Sequence, residues 1–291
     1  MNFFQAIFLG LVQALTEYLP VSSSAHIRII GDLMLGSDPG AAFTAIIQIG
    51  TELAVILYFR HDIIRILGAW FGSLFGKEGK DFKSRMGAHN PDTQMGWFII
   101  LGTMPILIAG LLFKHAIEGS LRNLWITVTV LALFGVLLWV VDARSKQVKT
   151  MTWKDALIFG IGQMLALIPG VSRSGGTITF GRAMGYTREA AVRVSFLMAI
   201  PAVFGAGILE AVSAVKDVAA GDAGMFPGWG PTIAAAIVAF VVGYVVIIGF
   251  LKFVSTFSYK AFAIYRIGLA IVVALLLITG VLSPLEAAAA A

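Results

Sequence analysis

No cysteine occurs in this chain, and only 13% of its residues carry a charge. The first absence excludes a disulfide framework and thiol catalysis, and leaves the redox compartment unread. The second excludes an ordinary soluble fold, because 291 residues would need far more polar surface to stay dispersed. Positive charge is also missing from the start of the chain. No Lys or Arg precedes Arg28, so MNFFQAIFLGLVQALTEYLP lacks the basic region of a signal peptide. Hydrophobic residues, in contrast, make up 58% of the chain, and the mean hydropathy is +0.90. This is the composition of a polytopic membrane protein. Its net charge of +5 matters less than where the charges lie. The terminal LEAAAAA (285–291) reads as an appended tail outside the fold.

Crossing a bilayer takes about 20 helical residues. Six apolar runs approach that length, near 42–59, 96–113, 123–141, 194–213, 231–251 and 261–282. Two more stretches, 2–30 and 155–184, are apolar but interrupted, at LPVSSSAH and IPGVSRSGGT. Irregular backbone at membrane depth is tolerated only where protein or trapped water satisfies it. Both stretches are therefore expected to be re-entrant helix–loop–helix hairpins, giving an all-α protein with six spans and two hairpins. If 42–59 runs outward to inward, the inside loops 60–95, 142–154, 182–193 and 252–260 carry fifteen Lys and Arg. The outside loops carry three. That bias satisfies the positive-inside rule and puts both termini outside. The first hairpin then enters from the outside and the second from the cytoplasm. Arg28, Arg173 and Arg266 fall inside apolar segments.

The interrupted stretches resemble each other at a constant offset of 150. Gly10, Gln13, Leu15, Val21, Ser22 and Ser24 match Gly160, Gln163, Leu165, Val171, Ser172 and Ser174. An odd number of spans separates them, so the two halves, 1–141 and 142–284, form an inverted-topology repeat within one integral membrane domain. Such repeats put a site near the midplane, where broken helices meet. The arms also differ: Glu17 and Ser23 in the first stand where the second has Leu167 and Arg173. A purely structural duplication has no use for that difference, whereas a site built from two halves does.

Gln13 and Glu17 share a helix face one turn apart. Their oxygens suit Mg²⁺ or Ca²⁺. Three hydroxyls, Ser22 to Ser24, and His26 follow. In the second arm Gly170, Gly175 and Gly176 permit close backbone approach, Ser172, Ser174 and Thr177 are donors, and Arg173 presents a planar fork to phosphate oxygens. Competing partners exist for each group. A membrane serine can bond the i−4 carbonyl, a lone His can serve as an interhelical hydrogen bond, and Arg173 can be held by a carbonyl or carboxylate. Intramembrane charges nevertheless mark function by default. Glu52, with Gln48 one turn earlier, can pair with an arginine, line the cavity or contact a head group. A secondary transporter or lipid flippase would use an inverted repeat equally well.

QALTEYLPVSSSAH resembles the (E/Q)xxxE motif and following serine–histidine stretch of the undecaprenyl-diphosphate phosphatase, or bacitracin-resistance, family. PGVSRSGGT resembles that family's PGxSRSxxT motif, and the likeness extends over essentially the whole chain. It implies hydrolysis of undecaprenyl diphosphate to the monophosphate, which recycles the lipid carrier of peptidoglycan synthesis. It also implies an inner-membrane location, a divalent cation, and a site open to the periplasm. The substrate would be a polyprenyl diphosphate met among membrane lipids. No nucleic-acid partner is expected, and a homodimer is allowed. By position, Glu17, Ser23, His26 and Arg173 become catalytic candidates. Ser22, Gly170, Ser172, Ser174, Gly175, Gly176 and Thr177 become phosphate-binding candidates, and Glu17 with Gln13 the metal ligands. Gln13 fills a slot that can be Glu in other members, and Ala25 stands where Gly is often found. The nucleophile is left open between Ser23, which is preferred, His26 and water. For Ser23 the base is Glu17 or His26.

Overall fold

The computed structural model describes residues 1–144, 150–219 and 226–285, so most of the expected tail lies outside the described residues. Every regular element within them is helical. In chain order they are α1 (Phe3–Glu17), α2 (Ser23–Leu35), α3 (Ala41–Tyr58), α4 (Arg60–Leu74), α5 (Phe82–Arg85), α6 (Pro91–Leu112), α7 (Lys114–Glu118) and α8 (Leu124–Asp142). After these come α9 (Trp153–Met164), α10 (Arg173–Ala183), α11 (Arg188–Ala219), α12 (Trp229–Thr256) and α13 (Lys260–Ile278).

Length and hydropathy make α6, α8, α12, α13 and residues 188–213 of α11 long and apolar enough to cross a membrane. A sixth candidate is α3 continued into α4 across a 75° bend. The chain is thus an all-helical, multi-pass membrane protein. One element departs from the expectation: 60–74, placed in a loop from its charge, is helical. Arg60, Asp62 and Arg65 crowd its first turns. Ile64, Leu67 and Phe71, three to four residues apart, line an exposed apolar face. Charge breaks the hydropathy signal of a span there without breaking the helix.

Local chemistry sets the helix starts. Asn2 with Gln5 and Thr152 with Asp155 form reciprocal capping boxes at α1 and α9. Asn90 caps α6 ahead of Pro91 in its first turn, and Asn123 accepts from the Trp125 N–H at α8.

Small residues then let the helices approach closely, as membrane packing requires in the absence of a hydrophobic drive between spans. A methyl group added at Gly10 would come within 2.5 Å of the Ala235 carbonyl oxygen in α12. One at Gly50 would come within 2.3 Å of the Ala236 oxygen, and one at Gly160 within 2.4 Å of the Gly102 oxygen in α6. A buried cluster including Tyr18, Phe59, Phe196, Phe250 and Tyr259 fills the space between α1, α3, α11, α12 and α13. At one end of the bundle Asp142 is buried and accepts from Arg182 Nε (2.9 Å), Arg188 Nε (2.9 Å) and the Tyr259 N–H (2.9 Å). It thereby ties α8, α10, α11 and the start of α13 together.

Both broken stretches appear as two helices joined by a turn. Pro20 lies in the turn between α1 and α2. A short 3₁₀ segment, Leu165–Leu167, and Pro169 precede α10. Among the described residues, only Ser22 (φ 72°) and Ser172 (φ 69°) combine a side chain with positive φ. Each immediately precedes a helix. Such backbone costs about 1–3 kcal/mol and persists only where its surroundings enforce it.

Candidate active site

The two turns meet. Arg173 Nη2 donates to Glu17 Oε1 over 2.7 Å, linking residues 156 apart in sequence. The other oxygen, Oε2, accepts from Ser23 Oγ at 2.6 Å and from Gln13 Nε2 at 2.9 Å. One buried carboxylate thus gathers an amide, a hydroxyl and a guanidinium. Glu17 owes this position to the end of α1, Ser23 to the start of α2 and Arg173 to the start of α10. The Ser174 hydroxyl donates to the Leu19 carbonyl at 3.0 Å, a second link between the turns.

Arg266 makes the third. It is fully buried and spreads its guanidinium over backbone carbonyls. Nη1 donates to Pro20 and Val171 (3.0 Å each), Nη2 to Gly170 (2.6 Å), and Nε to Leu131 of α8 (3.3 Å). A backbone that has left its helical ladder inside a membrane protein needs such donors. The sequence flagged Arg266 as an intramembrane charge but did not indicate its partners.

His26 stands apart from the Glu17 cluster. Its Nδ1 lies 2.8 Å from the Ser22 carbonyl oxygen, which can only accept, so Nδ1 carries the proton. Nε2 then accepts from the Tyr265 hydroxyl at 2.6 Å, with the two rings nearly parallel. Tyr265, on α13, was missed by the sequence reasoning, because one tyrosine in an apolar helix carries no particular signal.

The second arm is more self-satisfied than its composition implies. Ser172 Oγ accepts from the Gly175 N–H at 3.1 Å, and the Ser172 carbonyl from the Gly176 N–H at 2.7 Å. Thr177 Oγ1 lies 2.7 Å from the Arg173 carbonyl, one turn earlier, and 2.5 Å from Ser195 Oγ. Ser172 and Ser174 hydroxyls are 3.2 Å apart, as are those of Ser22 and Ser24. The side-chain faces of the three glycines are turned to protein. A methyl group at Gly170 would meet the Thr127 oxygen at 2.7 Å, at Gly175 Arg266 Nη1 at 2.7 Å, and at Gly176 the Gly162 oxygen at 2.3 Å. These glycines let helices and Arg266 come close to the turn.

Two groups at the junction are left with unused bonding capacity. Arg173 Nε is buried without a partner, and so are both carboxylate oxygens of Glu52. Glu52 Oε2 is 3.7 Å from Arg173 Nη2, beyond hydrogen-bonding distance. A cation at this junction would find oxygens from Glu17, Glu52 and Ser23, with Gln13 turning its amide nitrogen to Glu17. No group of three His, Cys, Asp or Glu able to hold a metal occurs among the described residues. That set fits a hard cation taken by one or two carboxylates and completed by phosphate oxygens, rather than one enclosed entirely by protein.

Comparison with known proteins gives a consistent result. Residues 6–272 match the family described as "Bacitracin resistance protein BacA". An undecaprenyl-diphosphatase of Bifidobacterium adolescentis is 92% identical over the full length of both chains. One from Bifidobacterium animalis subsp. lactis is 78% identical over 98% of this chain and 97% of its own. One from Paenarthrobacter aurescens is 54% identical over 94% of this chain and 98% of its own.

Proposed function

The chain belongs to the bacitracin resistance protein BacA family, and from that membership and the Glu17–Arg173 junction we propose how it acts as an undecaprenyl-diphosphatase. The reaction releases inorganic phosphate from undecaprenyl diphosphate and leaves undecaprenyl phosphate. The observation that carries the site assignment is the hydrogen-bonded run Ser23–Glu17–Arg173, drawn from both turns.

Ser23 Oγ is the nucleophile. Its hydrogen bond already points at Glu17 Oε2, so Glu17 rather than His26 is the base. Oγ forms a bond to the terminal phosphorus as its proton passes to Glu17. The bond from that phosphorus to the bridging oxygen breaks, and undecaprenyl phosphate leaves with the electron pair. Water then hydrolyses the seryl phosphate, releasing inorganic phosphate and restoring the hydroxyl. Arg173, with its unpartnered Nε, donates to oxygens of the phosphoryl group as charge develops on them. His26, braced between Ser22 and Tyr265, holds the turn that carries Ser23. Ser22, Ser172, Ser174, Thr177 and the glycine turn shape the phosphate side of the site. Glu17, with Gln13 beside it, would hold a divalent cation, which would supply neutralising charge for the diphosphate.

The two broken stretches are re-entrant hairpins of an inverted repeat, 1–141 and 142–284. Supporting this, Ser22 and Ser172 share positive φ and the same hydroxyl pair at the same offset of 150. Gly10 packs on α12 of the opposite half, and Gly160 on α6 of the opposite half. The arginine and lysine bias supports the orientation of the spans, and a site that opens on the periplasmic side is what the family resemblance implies. The test is phosphate release from a long-chain isoprenyl diphosphate in detergent, with and without chelator. Arg173→Ala and Ser23→Ala are each expected to lose about 10³-fold or more in kcat. Full activity in Arg173→Ala or Glu17→Ala would reject the site.

A further inference from the structure

Glu52 is a buried acidic group near Arg173 that the reaction scheme above does not use. It sits in α3 with no exposure, and neither carboxylate oxygen has a hydrogen-bond donor. Leaving an ionised carboxylate so placed costs several kcal/mol. Arg173 does not offset this well, because Nη2 is 3.7 Å from Glu52 but 2.7 Å from Glu17. Two carboxylates from different helices therefore share one guanidinium.

The arrangement is also held in place. Tyr18, next to Glu17, donates its hydroxyl to the carbonyl of Thr51, next to Glu52, over 2.6 Å. Tyr18 is buried, and its hydroxyl packs against Gly243 of α12. This bond fixes the end of α1 against the middle of α3, so the two carboxylates keep their relative position. Two oxygen-bearing groups with open lone pairs, pre-set on rigid helices beside the phosphate site, have the makings of a cation site that substrate oxygens complete.

We infer that Glu52 is a ligand of the divalent cation, the second carboxylate that acts with Glu17. This rests on the reading of the junction as the phosphatase site. In the alternative role Glu52 only positions Arg173, and the two roles separate by experiment.

The probe is Mn²⁺, titrated by electron paramagnetic resonance into full-length protein in detergent micelles, with a non-hydrolysable isoprenyl methylenediphosphonate present. Glu52→Gln keeps the shape and removes the charge. It is expected to weaken Mn²⁺ binding tenfold or more and to raise, by a similar factor, the Mn²⁺ concentration giving half-maximal phosphate release. Glu52→Asp, charged but shorter, is expected to fall between. Thermal unfolding of each variant verifies that it is folded. Unchanged Mn²⁺ affinity in Glu52→Gln overturns the proposal, and if it is accompanied by a raised KM the residue positions Arg173 instead. A wild-type protein that binds no Mn²⁺ also overturns it. Failure of the phosphatase reading shows separately, as wild-type protein that releases no phosphate at any Mn²⁺ concentration.

Discussion

Replacing Arg266 tests whether one guanidinium holds the two turns together. Four hydrogen bonds run from it to the carbonyls of Leu131, Pro20, Gly170 and Val171, on three separate segments. Arg266→Met keeps much of the volume but strands those carbonyls in a buried place. At about 1 kcal/mol or more for each orphaned group, the loss comes to about 4 kcal/mol, offset in part because a buried charge is removed with them. Arg266→Lys retains the charge, yet a single ammonium cannot span acceptors that a planar fork reaches together. It is therefore expected to be no more stable than Arg266→Met. Thermal unfolding in detergent gives the ranking, and phosphate release gives the functional effect. Because the turns also carry Ser23 and Arg173, a small displacement should lower kcat by about 10²-fold. Wild-type melting and wild-type turnover in Arg266→Met would refute the pinning role. A fully rescued Arg266→Lys would show that charge matters and the fork does not.

Two further substitutions probe the scaffold away from the site. Asp142→Ala leaves the buried Arg182 without its carboxylate and frees the start of α13. A loss of about 3–5 kcal/mol is expected in thermal unfolding, with turnover per folded molecule little changed. Gly160→Ala pushes a methyl group against the Gly102 carbonyl oxygen, a backbone atom that cannot rotate away, and should cost about 1–3 kcal/mol. A neutral melting curve there would mean that α6 and α9 can separate freely.

Properties that are one-dimensional were legible in the sequence. The spans α6, α8, α12 and α13 follow from run length against bilayer thickness, and the two breaks follow from Pro, Gly and hydroxyl clusters. Glu17 and Arg173 stood out because charge in an apolar run is expensive. The hidden parts depend on partners that leave no sequence trace. Arg266 acts on main-chain carbonyls, which every residue has. Helix α4 shows a half-exposed apolar face with charges at one end, which hydropathy averages into a loop. Gly170, Gly175 and Gly176 have the same sequence signature whether backbone approaches a phosphate or another helix. In the folded chain their side-chain faces meet Thr127, Arg266 and Gly162.

The two buried arginines at the junction separate structure from chemistry by a criterion the sequence lacks. Arg266 commits four of its five N–H donors, from all three guanidinium nitrogens, to fixed backbone carbonyls. Arg173 has one nitrogen on Glu17 and a buried Nε with no partner. In a membrane interior an unused donor is a standing cost, and it is tolerated where an acceptor arrives during function. The same reasoning applies to the bare oxygens of Glu52, which on the reading proposed above would take a cation where Arg173 would take an anion. A diphosphate carrying a metal answers both needs at once. An uncharged lipid answers neither, so on that reading charge is the basis on which this junction would select its substrate.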